Sequence, residues 1–393
     1  MTDYNSKSYG RNTEVASVYQ LLESKRDITM PGPRRLGKTF LLHRLASTAS
    51  DHGWTAVRVE LAGCNDSQSV FRELCNEIGK KRSGGAKAVA FIVQRLMQFA
   101  SPRTEAGGSW YQPFIGVDHQ SFFERVIQAL HEDKDRRWVI LIDELPIFLK
   151  ALHDKGPAGV ASARDFMNNM NRLREKYNGV RWMITGSIGI EPLATAGDYM
   201  GALIKFTTFK LHPLDAAQAK DYIQDRALDG YLPHRKEITD AEARALIFSV
   251  GWLAPFYLDA LALQIEGPLA LDDIQAKIVV DIAVEKLMSD AGPNTFGIWE
   301  EHLRKHYNSS DRAIAVKALG ALSRNSQGLE ADGLLATIER PELTAEGLRL
   351  VLMRLTSDGF LAVDDWKLDS PRCYFLNPLL RLWWHRARPQ ANA

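Results

Sequence analysis

Gly32-Pro33-Arg34-Arg35-Leu36-Gly37-Lys38-Thr39 is the stretch on which the fold turns. It fits G-x-x-x-x-G-K-[ST], a pattern whose glycines let backbone N–H groups turn inward around a row of phosphates. The pattern has that meaning between a strand and a helix, and both are legible here. Asp27 to Met30 is a short strand-like run, and helical spacing extends from about Lys38 to Ala49. The helix N-terminus would add its partial positive charge to the cradle. Lys38 is then expected at the β- and γ-phosphates of a nucleotide, with the Thr39 hydroxyl on magnesium. Arg34 and Arg35 have two readings, as solvated loop charges or as contacts to phosphate or to an acidic neighbouring surface.

Working outward, Thr13 to Lys25 has apolar residues at helical spacing, and Trp54 to Leu61 alternates Val57, Val59 and Leu61 as a strand does. Ser67 to Lys81 reads as a helix. Ser83 to Asp118 mixes a candidate helix, Val89 to Phe99, with Gly, Ser and Pro segments and reads as an insertion. A helix over Gln120 to Glu132 precedes the strand Trp138 to Ile142. Another, Ala161 to Tyr177, precedes the strand Val180 to Thr185, and Phe206 to Leu211 is a candidate fifth strand. Such alternation implies a parallel sheet covered on both faces.

From Asp215 to about Leu287 the pattern is helical, which suggests a lid. From Asp311 it changes to three short helices (Ala313 to Ser323, Glu330 to Thr337, Ala345 to Asp358) and two strand-like runs, Phe360 to Val363 and Cys373 to Leu376. That order suggests a winged helix. The expected division is 1–212, a P-loop ATPase domain; 213–308, a helical lid; and 309–393, a winged-helix domain.

Trp138-Val139-Ile140-Leu141-Ile142-Asp143-Glu144 is a buried-strand run ending in two carboxylates. A central strand would deliver Asp143 beside the phosphate loop, where it is expected to hold magnesium through water. Glu144 then stands where a carboxylate can orient and deprotonate an attacking water, which points to hydrolysis. The next strand ends Ile184-Thr185-Gly186-Ser187, so Thr185 and Ser187 are candidates for sensing the γ-phosphate or holding that water. A plain Gly/Ser turn is the alternative. Arg164, Arg172 and Arg174 on the preceding helix read as a solvated face, and Trp182 to Asp225 contains no arginine of the kind ring-forming ATPases extend to a neighbour.

The 393 residues allow two or three domains with their own cores. The 49 Lys plus Arg nearly cancel the 48 Asp plus Glu, so no bulk field argues for a nucleic-acid or membrane partner. Three cysteines suit neither a disulfide framework nor a zinc cage. Without an apolar run of spanning length, the expectation is a cytoplasmic protein with no membrane association.

These residues together resemble the archaeal-type P-loop ATPases, relatives of the STAND signalling ATPases and of origin-recognition proteins within the AAA+ group. The resemblance covers nearly the whole chain. It is carried by Tyr9-Gly10-Arg11 before the first helix, the phosphate loop continuing through Phe40-Leu41-Leu42, the Asp143-Glu144 strand, Gly186-Ser187, and the closing run Tyr374 to Trp384. It implies an α/β P-loop NTPase of the additional-strand type with ATP as cofactor, and it assigns Gly10, Arg11 and Pro255 to the adenine. At the lid the match is partial, because Gly251-Trp252-Leu253-Ala254-Pro255 has one displaced glycine where the family has two. Pro255 can equally be a helix-start proline.

Three functions fit: a Mg-dependent ATPase switch that binds a protein partner, a DNA-binding ATPase, and a nucleotide-dependent module with little turnover. Oligomerisation is compatible with each. In the winged helix, Arg349 and Arg354 on the third helix are available for DNA. Residues 310–393, however, hold eleven Lys plus Arg against ten Asp plus Glu, and Leu348, Leu350, Val351, Leu352 and Leu355 read as core. Arg381, His385, Arg386 and Arg388 form a small basic cluster beside Trp383 and Trp384, a pair that could stack on bases or seal an interface.

Overall fold

The computed structural model describes residues 9–80, 119–338 and 340–387. The insertion with its candidate helix Val89 to Phe99, and Arg388, lie outside the described residues. The chain forms two compact units, one of residues 1–32 and 38–211, the other of 33–37 and 212–393.

In the first unit, helix α1 (Asn12–Glu23) precedes β1 (Asp27–Pro31), and α2 (Lys38–Thr48) leads to β2 (Trp54–Glu60). α3 (Ser67–Lys80) and α4 (His119–Glu132) precede β3 (Arg137–Asp143), and α5 (Leu145–His153) and α6 (Pro157–Lys176) precede β4 (Val180–Gly186). α7 (Ile190–Gly197) and β5 (Phe206–Thr208) complete the unit. The five strands lie in the order β2-β3-β4-β1-β5, each pair parallel. β4 is buried at every position and β3 at all but its first, as a doubly covered parallel sheet demands. On one face Trp138, Ile140 and Trp182 pack in one core with Phe148 and Leu149 of α5 and Met167, Met170 and Leu173 of α6.

β5 is shorter than the expected run to Leu211. Its pairing with β1 closes when the Phe209 N–H donates to the Thr29 carbonyl at 2.8 Å. α5 and α7 are additional to the sequence reading. Each is short, and α5 follows directly on a strand whose apolar run hides the change of period. Arg174, expected on a solvated face, is instead buried in the unit.

The second unit opens with α8 (Ala216–Leu228) and α9 (Asp240–Val250), each started by a capping box, Asp215 with Gln218 and Thr239 with Glu242. α10 (Pro255–Ala262), α11 (Asp273–Lys286) and α12 (Gly292–His306) follow, the last two joined by a π-helical turn. α13 (Ser309–Ser323), β6 (Leu329–Glu330), α14 (Ala331–Ile338), α15 (Ala345–Ser357), β7 (Leu361–Val363) and β8 (Arg372–Phe375) make a winged helix, its antiparallel sheet ordered β6-β8-β7. α16 (Pro378–Ala387) closes the chain with Trp383 and Trp384 buried. Trp383 stacks on Phe296 of α12 and Trp384 meets Phe360 edge-on, so the pair seals a core.

Leu350 is a correction to the expected core, for it is 59% exposed. At about 3.6 residues per turn, Leu348, Val351, Leu352 and Leu355 fill one face of α15 and Leu350 falls on the other. Among the described residues no helix is long and apolar enough to cross a membrane.

Candidate nucleotide site

The strand order sets the site. β4 lies between β3 and β1, with Met30 opposite Thr185 and Pro31 opposite Gly186. The loop after β1, the carboxylates after β3 and the hydroxyls at the end of β4 therefore share the C-terminal edge of one sheet, where ligands of open parallel sheets bind.

The loop is shaped by two left-handed residues, Arg35 at φ 71° and Gly37 at φ 96°. A Cβ at Gly37 would meet nothing, so glycine is required there by backbone conformation. Leu36 is buried and anchors the loop. Lys38, first residue of α2 and largely buried, donates from Nζ to the Gly32 carbonyl at 2.6 Å. That bond holds the ammonium across the mouth of its own loop. Thr39 is exposed and Phe40 half-buried. Residues 33–37 group with the second unit, where the Arg35 guanidinium lies 4.0 Å from the centre of the Phe256 ring. Partial desolvation lowers the Arg35 pKa from its ordinary value.

Asp143 is fully buried. Its Oδ1 accepts from the Thr185 hydroxyl, and its Oδ2 has no hydrogen-bond partner. The Arg58 guanidinium is 3.7 Å from that oxygen. A buried carboxylate oxygen without a donor is costly and is suited to a metal ion or a metal-bound water. Glu144 turns the chain from β3 into α5 with φ 57°, a left-handed conformation rare for a side-chain-bearing residue. Its Oε2 accepts from both the Ser187 N–H at 3.0 Å and the Ser187 hydroxyl at 2.9 Å. The two β4 hydroxyls are thus divided, Thr185 to Asp143 and Ser187 to Glu144.

Three residues at this edge escaped the sequence reading. Glu60, opposite Asp143 in the β2–β3 register, has its carboxyl pKa raised, chiefly by burial and next by the Asp143 charge. Arg58 on the same strand lies 3.5 Å from Glu60 as well. His43 on α2 has its imidazole pKa lowered, by burial first and then by Arg58. The signal was the charged alternation Arg58, Glu60 within an otherwise apolar strand.

Of the residues expected at the base, Gly10 has φ 74° and Arg11 is buried, with Nη1 2.6 Å from Glu14. Pro255 is the first residue of α10 in the second unit, with Ala254 as an extended N-cap.

Residues 22–193 match the family model of the AAA domain. That segment is similar to an AAA domain. It holds the phosphate loop, Asp143-Glu144 and both β4 hydroxyls, so the matched segment and the geometric site coincide. Two solved structures are similar over nearly the whole chain. The Walker-type ATPase PABY2304 of Pyrococcus abyssi matches with 12% identity and a TM-score of 0.66, covering 97% of each chain. The ORC2 protein of Aeropyrum pernix, in ADPNP–ADP complexes, matches with 13% identity and a TM-score of 0.53, covering 97% of this chain and 95% of that one. At these identities the likeness carries the fold alone. None of the curated proteins matches the chain in sequence.

Proposed function

We propose that the chain binds ATP with magnesium and hydrolyses it, and that nucleotide state sets the binding of a protein partner. The observation that carries the reading is Asp143, fully buried with one oxygen that accepts no hydrogen bond, next to a Glu144 whose carboxylate is oriented by two Ser187 donors. The Thr39 hydroxyl and Asp143 are the oxygen ligands magnesium takes, and the ion would neutralise charge on the phosphate oxygens. Backbone N–H groups of residues 33–39 would cradle the phosphates, and Lys38 would exchange the Gly32 carbonyl for phosphate oxygen. Glu144 would take the proton of the attacking water, with Ser187 fixing which oxygen receives it. Thr185 positions Asp143. Gly10 and Arg11 are proposed to line the base, Pro255 is proposed as a further base contact, and the proposed division is an ATPase domain, 1–212, a helical lid, 213–308, and a winged-helix domain, 309–393.

A protein partner is favoured over DNA by α15. The Arg349 guanidinium donates to the Trp366 carbonyl and lies over that ring, while Arg354 donates to the His306 carbonyl and lies 4.1 Å over Tyr307. Both arginines are committed inward. The outward face includes Glu346, Leu350, Met353 and Ser357, two apolar residues, one acid and one hydroxyl with no cation among them, whereas DNA backbone binding rests on Lys and Arg. The test is phosphate release from ATP by the wild type and by Glu144→Gln, with and without duplex DNA, at low and physiological salt. Release that vanishes in the variant and ignores DNA is the expected result. Binding without release in the wild type would leave a nucleotide-held module, and stimulation by DNA would overturn the choice of partner.

A further inference from the structure

At the opposite edge of the sheet from the phosphate loop, where β1, β4 and β5 begin, a cavity of about 390 Å³ opens. β1 separates the two sites by its five residues, roughly 17 Å at about 3.3 Å per residue. Five cations line the cavity, Lys25, Arg26, Arg174, Arg181 and Lys205, against the carboxylates of Asp27 and Glu175.

The inner charges do not balance. Arg174 and Arg181 are 4% and 6% exposed and share one counter-ion, the equally buried Asp27, at 3.4 and 3.6 Å. Two buried guanidiniums against one carboxylate leave an excess positive charge, and a buried charge without compensation is destabilising. Burial outweighs the pairing on both sides of the Arg174–Asp27 contact, for it raises the Asp27 pKa and lowers that of Arg174. The donors are unevenly spent. Arg181 donates to the carbonyls of Lys25 and Asn178, and Arg174 Nη2 to Asn171 at 2.6 Å, but Arg174 Nε is buried with no partner. At the rim, Lys205 pairs with Glu175 at 2.5 Å, while Lys25 and Arg26 are exposed and form no ion pair among the described residues.

We propose that this cavity binds a phosphorylated small molecule. Its volume falls in the range of small-molecule sites. Guanidinium forks match phosphate oxygens in geometry, and an excess of three positive charges suits a multiply charged anion better than a single carboxylate. Arg174 and Arg181 supply the fixed inner charge, and Lys25, Arg26 and Lys205 gather the ligand at the mouth. The site is independent of the nucleotide reading and stands or falls separately.

Inorganic pyrophosphate is the probe, titrated without metal by calorimetry into Lys38→Ala, which disables the phosphate loop, and into the same chain with Lys25→Asn and Arg26→Glu added. Both added changes are at exposed positions, and asparagine tolerates the left-handed backbone of Lys25 (φ 57°). Circular dichroism confirms that the variants fold. The expected result is one-site binding in Lys38→Ala that weakens at least tenfold in the triple variant, with sulfate at matched ionic strength failing to compete as strongly. Absence of saturable binding, or equal binding by both proteins, would overturn the proposal.

Discussion

At the C-terminal edge of the first sheet, Asp143, Glu144 and Glu60 gather with one buried carboxylate oxygen left without a donor. At its N-terminal edge, Arg174 and Arg181 gather round Asp27 with one guanidinium N–H left without an acceptor. The same five strands thus present opposite unmet demands at their two ends, for a cation above and for an anion below. Parallel strands make this arrangement natural. Every strand ends at one edge and begins at the other, so each edge collects the loop residues of several strands. Under the two proposals, the unspent atom at each edge is where the ligand would complete it.

The largest expected effect tests the upper edge. Glu144→Gln keeps an oxygen for Ser187 but cannot take a proton, so hydrolysis should fall about 10²- to 10⁴-fold, the usual contribution of a positioned base, with ATP binding retained. Phosphate release under single-turnover conditions checks it, and unchanged release would remove Glu144 from the chemistry. At the lower edge, Asp27→Asn leaves two buried guanidiniums with no counter-ion. The expected loss of stability is about 3–5 kcal/mol, measured by urea unfolding. A loss under about 1 kcal/mol would mean that solvent already screens the pair, and the contrast between the two edges would weaken.

Much of the upper edge was legible because its residues are tied to a backbone pattern. Gly32 to Thr39 and Asp143-Glu144 announce themselves by spacing and by the apolar run before them, and Thr185 and Ser187 by ending the next strand. Arg58 and Glu60 were not legible. Alternation along Trp54 to Leu61 marks them as the polar face of a strand, and only the pairing of β2 with β3 brings that face to Asp143. Arg174 was misread for a related reason. It sits beside Leu173 among the polar residues at the end of its helix, and its partner Asp27 lies 147 positions earlier in the chain. The run Leu350-Val351-Leu352-Met353 could not reveal which of its members faces outward until the helix had a core to face.

A finer test separates the two β4 hydroxyls. Ser187→Ala removes one of two donors to Glu144 and spares the Ser187 N–H. A hydrogen bond to a charged group contributes about 1.5–3 kcal/mol, and the remaining donor keeps part of the orientation. Turnover should fall about tenfold with KM for ATP little changed. A rise in KM alone would place Ser187 on the substrate and not on the base.

The smallest effect concerns the face of the sheet, away from both edges. Glu124 on α4 accepts from Arg172 at 2.6 Å and Lys176 at 2.7 Å, both on α6, and from Tyr177 at 3.1 Å. These contacts, Arg172 foremost, depress its carboxyl pKa from 4.5 to about 2. A depressed pKa means that the folded state holds the anion while the unfolded state takes up a proton. The stability from Glu124 is therefore fully present above about pH 4.5 and is lost as pH falls towards 2. Because the partners are exposed, solvent screening limits it to about 1 kcal/mol. Glu124→Gln should be less stable than the wild type by that amount at pH 7, with the difference closing as pH falls from about 4.5 towards 2. A difference that persists undiminished at pH 2 would assign the contact to packing of α4 on α6 and not to charge.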